Sequence, residues 1–227
     1  MSSPDAARLR LFQLVSPALP VGAFSYSEGL EVLVQRNAVT GVDALEQWLS
    51  DELHRGAVAI EAAALSDLQS ALRRHQGGAA DLSAVQALDA WLLAQREAAE
   101  VRAQQRQMGQ SLLQLLADLR WPLDSGAELL AWPAAFAWAS LCLNIGSPAL
   151  EEAYLYSWVA NQISAAVRLV PLGPTQGQRL QLGLAERIAE RAHHLAHQDP
   201  RGICSSGIGA GLAQLQHAEL YSRLFRS

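Results

Sequence analysis

The chain has 227 residues, half of them hydrophobic, and a formal net charge of −5. Its 17 basic residues are all arginine, so it carries no P-loop lysine, kinase strand lysine or Schiff-base lysine, and its acidic balance argues against a general nucleic-acid binder. Alanine and leucine dominate, which favours helices, and length allows one large domain or two small ones.

In chain order, Leu9, Leu11, Phe12, Leu14 and Val15 predict a short first helix. Ser16-Pro17 ends it, and Pro20 and Gly22 make a turn. A second helix is expected from about Ser25 to Arg36, with Asn37 as its stop. Asp43, with Glu46 three residues on, resembles a capping box ahead of apolar residues at helical spacing that run to Gly77-Gly78. Gly56 is expected to kink or split that run. Asp81 then opens a long amphipathic helix to Leu116 with a polar middle over 96–110. Pro133 opens an apolar helix ending near Gly146, and Ser147-Pro148 starts another to about Val170. Thr175 caps a further helix to His197, residues 198–211 read as a Gly/Ser-rich loop, and a final helix leads to the tail. No stretch alternates over a strand's length. The expected fold is all-α: one domain over 1–227, an irregular helical bundle of about eight to ten helices.

The most apolar stretch, Leu129 to Leu143, is too short for a bilayer and is interrupted by Pro133. The N-terminus lacks the apolar run and cleavage site of a signal peptide. The two cysteines, Cys142 and Cys204, suggest no secreted disulfide framework. The chain is read as cytoplasmic.

Few residues offer chemistry. His193 and His197 are four apart, on one helix face, and with Cys204 are the candidates for a metal. Glu190 and His193 make one E-x-x-H, whereas a carboxylate-bridged bundle site needs two. The preferred reading is a solvated polar helix end. The run Gly202–Gly209 imitates P-loop spacing without the lysine or a preceding strand. No catalytic constellation is found.

Residues 16–31, SPALPVGAFSYSEGLE, place two serines, a tyrosine and two glutamates at one helix start, more than a cap needs. Arg96-Glu97-Ala98-Ala99-Glu100-Val101-Arg102 with Gly109, RLVPLGPTQGQ at 168–178, and Tyr221-Ser222-Arg223-Leu224-Phe225-Arg226-Ser227 complete four motifs. Together they resemble the urease accessory protein UreF family. The tail concentrates aromatic and arginine side chains, the usual anchors of protein interfaces, with folding back onto its own core as the alternative. Pro174, where the family usually has glutamine, and Gln216-His217-Ala218, in place of an Arg-His-Glu run, depart from the pattern.

The resemblance implies an all-helical, homodimeric, non-enzymatic assembly factor. It would bind UreD (also called UreH), recruit the GTPase UreG and serve nickel delivery to the urease apoprotein. It also implies a GTPase-activating or fidelity-checking effect on UreG. Nickel and GTP would belong to the pathway and the partners, with no cofactor held stably. The partner-binding candidates are Tyr26, Glu28, Glu31, Glu97, Glu100, Arg102, Arg168, Gln176, Tyr221, Arg223, Phe225 and Arg226, with the tail taken as about 212–227. Two rival readings are a metal-dependent enzyme on the His193/His197 face and a helical adaptor unrelated to urease.

Overall fold

Helical periodicity carries through the computed structural model, which describes residues 4–123 and 127–227. Among these residues there are eleven α-helices, three 3-10 turns and no strand. The helices are α1 (Pro4–Leu14), α2 (Leu30–Gln35), α3 (Val42–Arg55), α4 (Ala57–Gln76), α5 (Ser83–Ala94), α6 (Ala99–Asp118), α7 (Trp132–Leu143), α8 (Ala149–Leu169), α9 (Pro174–Gly183), α10 (Ala185–Leu195) and α11 (Ile208–His217). The all-α reading holds. The count exceeds the expected eight to ten because three predicted runs are each broken in two: at Gly56, where a kink or split is expected, over residues 95–98, and at Leu184.

α4 and α7 cross at the centre, with α6 on the other side of α7 and α8 and α10 beside α4. Small residues make the close crossing possible. Ala59, Ala62 and Ala64 of α4 and Ala134, Ala135, Ala137 and Ala139 of α7 are fully buried. Gly109 of α6 completes the contact: a Cβ there would lie 2.5 Å from the Leu130 carbonyl oxygen. Asp89 of α5 accepts a hydrogen bond from the Ala131 N–H at 2.9 Å, just ahead of α7. Burial pushes its carboxyl up to about 6 against that bond and the Arg106 charge. One apolar core runs through these layers from Leu14 to Phe225.

Three departures from the sequence expectation position the site. The second helix begins at Leu30, not Ser25. The preceding residues form a 3-10 turn (Ala23–Ser25), and Glu28 and Gly29 adopt left-handed backbone conformations. The predicted Asp81–Leu116 helix is interrupted over residues 95–98. There Arg102 donates to the carbonyl oxygens of Arg96 and Glu97 at 2.6 and 2.7 Å, holding the break. The expected loop over 198–211 is shorter, because a 3-10 turn (Pro200–Gly202) and the start of α11 both fall within it. No helix among the described residues is long and apolar enough to cross a membrane.

Candidate functional site

The two glutamates of the 16–31 segment do different work. Glu31, 3% exposed, takes the tail. It accepts hydrogen bonds from the Leu224 and Phe225 N–H groups at 2.8 and 3.1 Å, and the His217 Nε2 lies 3.3 Å from it. Nearby, the Ser27 N–H and hydroxyl both donate to the Ser227 carbonyl, at 2.8 and 2.7 Å, and the Arg226 N–H donates to the Ser25 carbonyl at 2.9 Å. Most of the polar surplus thus binds a chain segment, while the Ser27 hydroxyl also accepts from the Glu31 N–H at 3.5 Å in the first turn of α2. Ser227 also donates its hydroxyl to Gln104 of α6.

Glu100 and Arg168 extend this clamp. Arg223 donates to Glu100 at 2.6 Å, and the other ring nitrogen of His217 faces Glu100 at 2.9 Å. Partial burial pushes the Glu100 carboxyl up, but the hydrogen bonds and charges of His217 and Arg223 outweigh it and hold it below the usual range. Arg168, in the last turn of α8, donates to the Phe24 carbonyl at 3.2 Å and lies over the Phe225 ring at 4.5 Å.

Glu28 belongs to a second, deeper network. The break at 95–98 turns Arg96 inward, where its Nε donates to Glu61 of α4 at 2.7 Å and its Nη1 to Glu28 at 3.4 Å. Gln104 and Trp158 also donate to Glu28, at 2.8 and 3.2 Å. The Tyr154 hydroxyl donates to Glu61 at 2.9 Å. Burial alone would push Arg96 down, but Glu61 and Glu28 outweigh it, so the guanidinium stays charged. Burial, reinforced by Glu61, raises Tyr154 well above the usual phenol value. Beside this network a groove of about 580 Å³ opens between α1, the 16–28 segment, α8 and α9. Leu14, Phe24, Tyr156, Trp158 and Arg168 line it.

The candidates for partner contact therefore divide by position. Phe225, one of the partner-binding candidates, is 4% exposed and sits in the chain's own core, the position that the fold-back alternative describes. Glu28, Glu31 and Tyr26 are likewise buried and bonded within the chain. Tyr26 contributes its carbonyl to Asn161 at 3.4 Å. Arg102 is half-buried on the α5–α6 break. Gln176 accepts from the Gly173 N–H at 2.9 Å, which caps α9. Pro174 occupies the first turn of that helix, where its missing N–H costs nothing. Glu97, Arg223 and Arg226 are exposed, Glu100 is partly so, and Tyr221 is fully exposed.

His193 and His197 stack edge to face at 5.5 Å on an exposed helix end. No group of three or more metal-ligating side chains forms among the described residues, with Cys204 or otherwise. Sequence reasoning missed Glu61, Tyr154, Trp158, Gln104 and His217. For Glu61 a signal existed: it is a lone acid in the apolar run Val58–Leu65, and a buried charge requires a partner.

The family model described as UreF matches residues 39–185. Proteins named urease accessory protein UreF align along nearly the whole chain. That of Alkalilimnicola ehrlichii is 40% identical, covering 100% of this chain and 98% of its own length. That of Thermosynechococcus vestitus is 41% identical over 98% and 99%. That of Dechloromonas aromatica is 38% identical over 96% of each.

Proposed function

The chain belongs to the UreF family, and from that premise we propose that it is a non-enzymatic factor in urease maturation. In this reading it works as an adaptor, binding UreD (UreH) and bringing UreG to the urease apoprotein for nickel insertion. It acts as a homodimer, with nickel as cargo and GTP held by the partner.

One observation carries the adaptor reading: the tail is fixed from within and presents side chains outward. Glu31, Ser25 and Ser27 grip its backbone, and the Phe225 ring anchors it. Tyr221 and Leu224 project into solvent, as do Ile208, Leu212 and Leu215 along α11. Positions 208, 212 and 215 are spaced four and three apart, so they share a helix face. Exposed aliphatic and aromatic side chains flanked by Arg223 and Arg226 have the composition of a protein-binding surface. A rigid mount lowers the entropy lost on binding.

The test is capture of UreD and UreG by a Tyr221→Ala/Leu224→Ala variant. Both side chains lie outside the clamp, so the melting temperature should not move. Capture should fall at least tenfold. Undiminished capture by a normally folded variant would refute the surface, and a strictly monomeric wild-type mass in sedimentation would refute the dimer.

A further inference from the structure

Glu52 lies on the buried face of α3 with Leu45, Leu49 and Leu53. Its carboxylate is wedged between two glycines. A Cβ on Gly56 would sit 2.3 Å from one carboxylate oxygen, and a Cβ on Gly207 would sit 3.2 Å from the other. The space it occupies exists because neither position carries a side chain. Gly207 is the residue from which α11 starts, and the loop before it is fastened to α3 by one hydrogen bond, from the Ser206 N–H to the Arg55 carbonyl at 3.1 Å. Cys204, Ser205 and Ser206 are otherwise exposed.

The surroundings make this carboxylate the odd one out. Arg96 faces it from the α5–α6 break and Glu28 from the 16–31 segment, while Asp51 and Arg55 flank it on α3. The loop over it contributes one titratable group, Cys204. Arg96 is already shared between Glu61 and Glu28, so an ionised Glu52 is a third carboxylate around one guanidinium.

We propose that Glu52 is a proton-operated latch on the 203–207 loop. When Glu52 is protonated, the loop closes over α3 and seats the start of α11. When Glu52 is ionised, the carboxylate draws water in and the loop lifts. Geometry supplies the contact, and burial, with Glu28 and Asp51 opposing Arg96 and Arg55, pushes this carboxyl up to about 7. The closed form binds the proton more tightly than the open form, so closure is favoured at lower pH and lost as pH rises through about 7. The effect extends along α11. Its Gln214 packs against Gly29, and its His217 lies between Glu31 and Glu100.

The experiment is hydrogen exchange of the full chain from pH 6 to 8, corrected for the intrinsic pH dependence of amide exchange. With an ordinary carboxyl in the open form, the opening constant should rise roughly tenfold over that range. Peptides spanning 203–212 should lose protection by that factor while α4 and α8 do not change. Glu52→Gln keeps the shape without the titration, so at pH 8 it should hold the protection that the wild type shows at pH 6. A flat wild-type profile would overturn the latch, as would an unchanged pH dependence in Glu52→Gln, which would assign the titration to another group such as His217 or Cys204. If Glu52→Gln does not fold, Cys204→Ser and His217→Gln decide: a pH dependence over 203–212 that survives in both supports the latch, and one lost in either overturns it.

Discussion

Phe225→Ala separates an internal anchor from an external one. The ring is 4% exposed and packs into the core, so truncating it removes its transfer free energy and leaves a cavity, about 3–5 kcal/mol for a buried phenylalanine. Loss of the Arg168 guanidinium over the ring adds about 0.5 kcal/mol, since that arginine is exposed. A tail that relaxes into the gap recovers part of this, giving a net cost of about 3 kcal/mol. For a chain of this size each kcal/mol shifts the melting temperature by about 2–4 °C, so the expected drop is roughly 10 °C. Tyr221→Ala, four residues earlier and fully exposed, should cost less than about 0.5 kcal/mol. Thermal and urea unfolding followed by circular dichroism measure both. If Phe225→Ala melts with the wild type, or the two variants lose equal stability, the ring is not seated in the core and the clamp is wrong.

Two further perturbations address the parts that hold the clamp. Arg96→Ala leaves Glu28 and Glu61 buried without their cation and should cost about 3–5 kcal/mol in urea unfolding; a loss under 1 kcal/mol would show that the pair is solvated. Gly29→Ala meets two obstacles, a backbone φ of +87° and a Gln214 backbone nitrogen 2.8 Å from the new Cβ. It should cost about 2–4 kcal/mol and expose 221–227 to proteolysis, whereas wild-type stability and protection would contradict the α2–α11 packing.

The helical class was legible because apolar residues recur at helical spacing in nearly every segment, and glycine and proline mark most of the boundaries. The break at 95–98 was not. Ala94-Gln95-Arg96-Glu97-Ala98-Ala99-Glu100 is composed of good helix formers, and local propensity is overridden there by a tertiary demand, the cation that two buried glutamates require. Glu52 was hidden similarly. It falls seven residues after Leu45 and three after Leu49, on the apolar face of α3, where an acid signals an unusual environment. The 16–31 segment was legible as over-supplied with polar groups, but the recipient was not, because Ser227 is two hundred residues away. The tail's composition marks it as a contact segment. Composition cannot say that Phe225 turns into the chain's own core while Tyr221 turns out, since an aromatic anchor reads the same in either setting.

The long reach of the clamp also orders events during synthesis. Residues 25–31 leave the ribosome early, yet every backbone bond they make to the tail waits for residues 224–227. Until then Glu31 keeps its water and lacks the tail's donors, and α2, six residues long, is too short to persist alone. Contacts so distant along the chain form late, because closing the loop between them costs entropy before the contacts that offset it have formed. The central helices can pack first, and the earliest-made signature is among the last parts to be completed. Until that moment the chain also lacks the mounted tail, so assembly with other proteins through this face would wait until residues 224–227 have docked.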